Sequence, residues 1–407
     1  MEAPLIEVPD GTITAPLGFL AGATDAGIRD GAPGRLDLAL LVSEQPCSAA
    51  AVYTTTSLVG AAITVTRRHL ENSRARALIA NSGCANAYTG EQGDRDAEEM
   101  CAIAAQKLGV DAGDVAVAST GVTGWRLPMD RMREGVRHII TTADGGDAFA
   151  HAIMTTDTVA KQTAVQFQHD GVTYSVGGCA KGSGMIHPNM ATMLSFLTTD
   201  AAVEQRYLQS VLGDVVEVSY NMMTIDGDTS PEDLVLLLAN GAAANGGGSI
   251  DADHPAAPVF RAAVEHVAIT LARKLARDGE GASKLIEVRV DGAASIEDAR
   301  LVAKEVAGSS LVKTAVFGND PNWGRILVAA GNSGARIVEE RVSLAVQGVD
   351  LYRNGEPLPF DKASVSDALR QPEVRFRIDL ALGDATATAW GCDLTPEYVR
   401  INSEYTT

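Results

Sequence analysis

Residues 187 to 194 read HPNMATML, directly after the glycine-laden run GGCAKGSGM at 177 to 185. Pro188 ends any helix begun upstream, while MATMLSF alone satisfies either a short helix or a strand. On local grounds the segment is a loop entering a buried element, with Met190 and Met193 as core filler and Thr192 an ordinary half-buried residue. Eight letters do not choose between these readings, and the fold turns on the choice.

Working outward, 407 residues that are 46% hydrophobic and 21% charged describe a globular chain with room for two or three domains. No basic N-terminal segment precedes an apolar core, and no apolar run approaches the roughly 18 residues of a membrane span. The expectation is a cytoplasmic protein without membrane partners. Cys47, Cys84, Cys101, Cys179 and Cys392 lie far apart with no CxxC pair, which fits a reducing compartment. The seven histidines show no HxxxH or HExxH spacing, so no metal site is expected. A net charge of −19 makes nucleic acid a poor partner and a small molecule the better one.

Helical and strand periods alternate, as in a mixed α/β protein. Residues 94 to 108 place Ala97, Met100, Cys101, Ala104 and Leu108 on one helical face, stopped by Gly109. Residues 258 to 277 repeat the pattern with Phe260, Val264, Val267, Leu271 and Leu275, ending at DGEG. KLIEVRVDG at 284 to 292 alternates as a half-exposed strand. NGGGSIDADHP at 245 to 255 reads as a loop, and a smaller domain is expected from residue 283 to 407 after a main domain of 1 to 282.

Two stretches can carry chemistry. DVAVASTGVTG at 114 to 124 is an apolar strand breaking at Ser119, Thr120 and Gly121, where backbone N–H groups left free would suit a developing oxyanion; a plain strand-to-helix turn explains it equally well. GNDPNWGR at 318 to 325 reads alone as a tight turn with a packed indole. GGCAKGSG lacks the spacing of a phosphate loop, which makes nucleotide binding a minor alternative.

STGVTG, MTTDT, AKGSGMIHPNMATML, DGDTS, DGEGASKLIEV, LVKTAVFGNDPNWGR and the ending NSEYTT occur in this order. The set resembles the ornithine acetyltransferase family, also called glutamate N-acetyltransferase or the ArgJ family, over nearly the whole chain. The resemblance implies a layered α/β/β/α fold with a second, smaller α/β domain. It also implies self-cleavage between Ala191 and Thr192, giving an α chain of 1 to 191 and a β chain from 192, assembled as α2β2. Thr192 would then be the nucleophile, its own freed α-amine the base. Thr120 and Gly121 would form the oxyanion hole. Thr158, Lys181, Thr192, Glu280, Asn402 and Thr407 would contact the substrates N-acetylornithine and glutamate. No cofactor is implied; acetyl-CoA as a second acetyl donor is left open by the residues.

Three positions depart from the family pattern: TVAK at 158 to 161 lacks the usual proline before the lysine, SPED at 230 to 233 stands where Asn-Asp is usual, and Trp125 is bulky. Two other readings stand beside the acetyltransferase. One is a threonine-nucleophile amidohydrolase or aminopeptidase of related fold; the other is an uncut binding protein.

Overall fold

The structure is a computed structural model that describes residues 4–29, 34–187, 193–243 and 248–404. Ala191, Thr192 and Thr407 therefore lie outside the described residues, as does part of the glycine-rich stretch at 245 to 255.

The first sheet holds β1 (Ile6–Glu7), β2 (Phe19–Thr24), β3 (Leu38–Tyr53), β4 (Arg74–Asn81), β5 (Val115–Ser119), β6 (Lys161–His169), β7 (Val172–Lys181), β8 (Leu194–Thr199) and β9 (Leu234–Ala239). Their order is β1-β6-β7-β8-β9-β3-β4-β5, with β2 also on β3. MATMLSF thus resolves in favour of a strand from Leu194. Helices α1 (Ala61–His69), α2 (Gly90–Leu108), α3 (Met129–His138), α4 (Gly146–Ala152), α5 (Gln205–Val218) and α6 (Ala257–Arg277) accompany this sheet. The parallel pairs β4–β5 and β8–β9 need crossovers, and α2 and α5 lie within them.

The layering follows from where alternate side chains go. In β3, Ala39, Leu41, Cys47 and Ala49 enter one core together with Leu78, Ala118, Phe196 and Leu236 from the other strands. The opposite face divides: Leu38, Leu40 and Val42 pack with α1, α2 and α3, whereas Ala50 and Val52 pack with α5 and α6. The division falls at Glu44, Gln45 and Pro46, which are exposed, and the register to β4 shifts between Val42 and Cys47. A bulge there bends the strand and folds one sheet into two facing leaves. Helices cover both outer faces, so the arrangement is α/β/β/α.

The helical periods read from the sequence appear as α2 and α6. Ala97, Met100, Cys101 and Ala104 are buried on α2, and Gly109 caps it at φ 68°; Phe260, Val264, Val267, Leu271 and Leu275 are fully buried on α6.

The second sheet comes wholly from later sequence: β10 (Leu285–Ala293), β11 (Ser343–Val346), β12 (Val349–Arg353), β13 (Glu356–Pro357), β14 (Glu373–Asp379) and β15 (Ala385–Cys392), in order β13-β12-β11-β14-β10-β15. Ile286, Val288 and Val290 of β10 face the core, while Arg289 is exposed. Helices α7 (Ile296–Gly308), α8 (Ser310–Phe317), α9 (Trp323–Asn332) and α10 (Lys362–Ala368) belong to this half. The expected tight turn with a packed indole falls at Gly318 and Asn319, after which the stretch enters α9: Asn322 caps that helix by accepting from Arg325 N, and Trp323 stacks on Tyr352 at 5.5 Å. Helix α6 packs against β6 and β7 on one side and β10 and β15 on the other, so one apolar cluster runs through both halves. The last helix, α11 (Pro396–Glu404), returns to the first half and brings Tyr398 and Asn402 to a cavity there. No described helix is long and apolar enough to cross a membrane.

Candidate active site

A cavity of about 270 Å3 opens where β5 and β7 end and β8 and β9 begin. Register explains this convergence: Lys181 pairs with Leu194, and Leu194 with Leu234, so three strands bring these positions side by side at one edge. Residues just past Lys181 and just before Leu194 and Leu234 therefore share a rim. Met193, the neighbour of Thr192, is fixed on that rim. Its carbonyl accepts from Leu234 N at 3.0 Å, and its N–H donates to the Asp233 carboxyl.

Thr120 and Gly121 reach the cavity where β5 ends, but not with two free N–H groups. Thr120 N donates to Asn81 O at 3.0 Å, because the pairing of β4 and β5 continues one residue beyond the strand. What Thr120 presents is its hydroxyl, whose oxygen accepts from Lys181 Nζ at 3.2 Å. That bond occupies a lone pair and leaves the hydroxyl proton available to a ligand. Gly121 N–H has no partner among the described residues. Only glycine fits here: φ is 128°, and a Cβ would lie 2.4 Å from the carbonyl carbon of Gly83.

Lys181 is 8% exposed. Burial pushes its ammonium pKa down, Asp157 pulls it up, Lys161 pushes it down, and Asp233 and Glu280 pull it up. Glu280, which as a loop acid would ordinarily be exposed, is buried. Its N–H donates to Ser183 O at 2.8 Å, and its carboxylate accepts from Asn402 Nδ2 at 2.7 Å. Gly184 makes room for it, since a Cβ there would meet the carboxylate at about 2.5 Å.

Lys181, Thr120, Gly121, Glu280 and Asn402 are thus brought together. Thr158 is not among the lining residues; Thr155 and Thr156 take that place. Its N–H donates to Asp278 Oδ2 at 3.0 Å and its hydroxyl to Asp278 Oδ1, so these polar hydrogens are committed to a carboxylate of another segment. Thr192, Ala191 and Thr407 fall outside the described residues.

Sequence reasoning assigned no role to Asp226, which organises the opposite wall. It accepts from Met185 N at 2.6 Å, Ile186 N at 2.8 Å and Tyr398 Oη at 3.2 Å. DGDTS carried the signal, an acid before a glycine in a turn, without saying which N–H groups it would meet.

Residues 20–407 match the ArgJ family. The chain is 51% identical over 399 residues to the arginine biosynthesis bifunctional protein ArgJ of Symbiobacterium thermophilum, covering 98% of this chain and 99% of that one. It is 48% identical to the protein of the same name from Dehalococcoides mccartyi, with both chains covered completely. Among solved structures, the arginine biosynthesis bifunctional protein ArgJ of Bacillus halodurans is 41% identical with a TM-score of 0.51; 53% of this chain covers the whole of that one. Matched across its length and near half identical to these relatives from end to end, the chain belongs to the ArgJ family.

Proposed function

We propose that this protein is an arginine-biosynthesis acetyltransferase that moves the acetyl group of N2-acetyl-L-ornithine to L-glutamate. The carrying observation is that the rim fixing Met193 also gathers Lys181, Thr120, Gly121, Glu280 and Asn402 around one cavity. Thr192 precedes Met193 in the chain, so a threonine nucleophile would belong to that rim.

The chain cuts itself between Ala191 and Thr192, freeing an α-amine whose ordinary pKa is about 7.7 to 8.0. That amine takes the proton from the Thr192 hydroxyl as its oxygen attacks the acetyl carbonyl. The tetrahedral oxyanion accepts from the Thr120 hydroxyl and Gly121 N–H. Collapse breaks the amide C–N bond, and the Thr192 ammonium returns the proton to the departing α-amine of ornithine. The α-amine of glutamate then attacks the acetyl ester, and Thr192 leaves as the free alcohol. Lys181 pairs with a substrate carboxylate, and Glu280 and Asn402 with substrate nitrogen and oxygen. Similar amides are exchanged, so no nucleotide is consumed.

The remaining assignments belong to the same reading: a main part of 1–282 and a smaller part of 283–407, α and β chains meeting at 191/192, an α2β2 assembly, a cytoplasmic location, and a substrate contact from Thr407. Thr192 to Thr407 is 216 of the 407 residues; the solved Bacillus halodurans chain, matched completely by 53% of this sequence, supports a division of that size. The relatives' names include the word bifunctional, and the second reaction assigned here is acetylation of glutamate by acetyl-CoA.

Intact mass with N-terminal sequencing tests the reading. Species of 191 and 216 residues are expected, the second beginning TMLSF, and Thr192→Ala stays whole and inactive. Labelled acetyl from N-acetylornithine should be recovered on glutamate. Recovery as acetate would favour the hydrolase instead, and a whole, inactive wild type would overturn both.

A further inference from the structure

Lys161, at the start of β6, has a wholly buried side chain and does not line the cavity. Its ammonium lies 2.5 Å from Asp157 Oδ1 and 2.5 Å from Asp278 Oδ2. Asp157 Oδ1 also accepts from Gly182 N at 2.7 Å, one residue beyond Lys181. Asp278 lies two residues before Glu280 and accepts both polar hydrogens of Thr158. Two further bonds follow the same route: Thr156 Oγ1 to Ser183 Oγ at 2.7 Å, and Glu280 N to Ser183 O at 2.8 Å. Three segments, 156–161, 181–183 and 278–280, are therefore stitched together behind the cavity, and each contributes a lining residue. The first two precede Thr192 and the third follows it. If the chain is cut there, Lys161–Asp278 becomes a buried ion pair between separate polypeptides.

We propose that Lys161 is a positioning residue for acetyl transfer and the charged clasp between the two chains, holding the segments of Lys181 and Glu280 against each other across the cleaved bond. The clasp rests on the functional reading above; the positioning role does not need the cut. Charges alternate along the network as Lys181, Asp157, Lys161 and Asp278, two of each sign. Such a buried set is costly to assemble and more costly to leave unbalanced, so it specifies one arrangement of its segments. It also bears on Lys181, which faces Asp157, Lys161, Asp233 and Glu280. Removing the like charge of Lys161 leaves Asp157 to Lys181 alone, and the Lys181 ammonium then keeps its proton to higher pH.

The test is the charge-balanced pair Lys161→Met with Asp278→Asn, which leaves Asp157 and Lys181 as a one-to-one pair. In the purified enzyme this variant should fold by circular dichroism and still be cleaved, because Thr120, Gly121 and the 191/192 bond are untouched. Its KM for N-acetylornithine should rise about tenfold while kcat changes less than about threefold. The alkaline limb of kcat/KM should move to higher pH, and the chains should separate at lower urea. Should the pair not fold, Asp278→Asn alone keeps an acceptor for Thr158 and should move the same readouts less. Wild-type KM, pH profile and chain separation in a folded variant would overturn the proposal. A wild type that stays uncut would overturn the functional reading and the clasp; positioning is then read from ornithine affinity by calorimetry, and equal affinities would overturn that too.

Discussion

Two groups of buried carboxyls flank the cavity and meet opposite fates. Asp157, wholly buried, would be raised by burial, but Lys161 and Lys181 outweigh that and hold it at about 2. Glu232 is 4% exposed, and neither of its oxygens has a hydrogen-bond partner among the described residues; burial alone pushes its pKa well above the usual 4.5. Asp233 beside it is raised first by burial, pulled back by Lys181 and pushed up again by Glu232. Burial is alike on the two sides, so the cation in contact decides the outcome. On one side the acid is held low, and on the other the acids are pushed up.

The largest expected effect breaks the paired side. Lys161→Met alone leaves Asp157 and Asp278 without their shared cation and should cost about 3–5 kcal/mol in urea denaturation of the Thr192→Ala precursor, where one chain unfolds. A loss below about 1 kcal/mol, the worth of a surface pair, would remove the contrast between the walls. Next comes Glu232→Met, which replaces an unpartnered acid by an apolar side chain of similar length. Because the folded pKa of Glu232 is raised, its protonated form contributes fully below pH 4.5, and wild type loses that contribution as pH rises through the folded value. The Glu232→Met variant should therefore gain about 1–3 kcal/mol over wild type at pH 8 and much less at pH 4. Asp157→Asn has the opposite sign: its folded pKa is depressed, so wild type holds the advantage above pH 3.8 and loses it as pH falls through about 2. Parallel pH slopes for the two variants would mean that the cations do not distinguish the walls.

The sequence disclosed this contrast unevenly. Helices α2 and α6 were legible because buried positions, four of the five expected in α2 and all five in α6, repeat at helical spacing, and repetition survives without tertiary knowledge. The bend of β3 was not, since exposed Glu44, Gln45 and Pro46 inside a strand read locally as a strand end. Thr120 and Gly121 were legible at a broken strand end as well as by resemblance; Lys181, Glu280 and Asn402 came from resemblance alone, and bonds distant in sequence, Glu280 N to Ser183 O and Asn402 Nδ2 to Glu280, hold the last two beside the end of β7. Thr158 came the same way, yet its partner Asp278 is 120 residues off, a contact no local pattern encodes. Glu232 was visible as a departure from the family's Asn-Asp pair. Its burial was not, because one letter does not say whether a cation will stand opposite.

The smallest effect tests what the orphan acid displaces. Gly60 is the N-cap of α1, extended at φ −76° and ψ 158°, with no side chain to cap the first turn. Serine or aspartate is the usual choice there, and this backbone geometry would accept either. Glycine stands in their place because a Cβ would fall 1.5 Å from Glu232 Oε1. Gly60→Ser should therefore destabilise wild type by about 1–3 kcal/mol through overpacking. In a Glu232→Ala background the same change should gain a few tenths of a kcal/mol as the new hydroxyl caps the helix. The sign reversal is a coupling between the two sites, read from a double-mutant cycle in urea. Additive changes would mean that the Glu232 carboxyl moves aside freely, and an acid so loosely held would not be kept from water or from a counter-ion. A reversal would tie the missing cap of α1 and the raised pKa of Glu232 to one cause, a carboxyl confined where no cation of the described residues, and no solvent, reaches its oxygens.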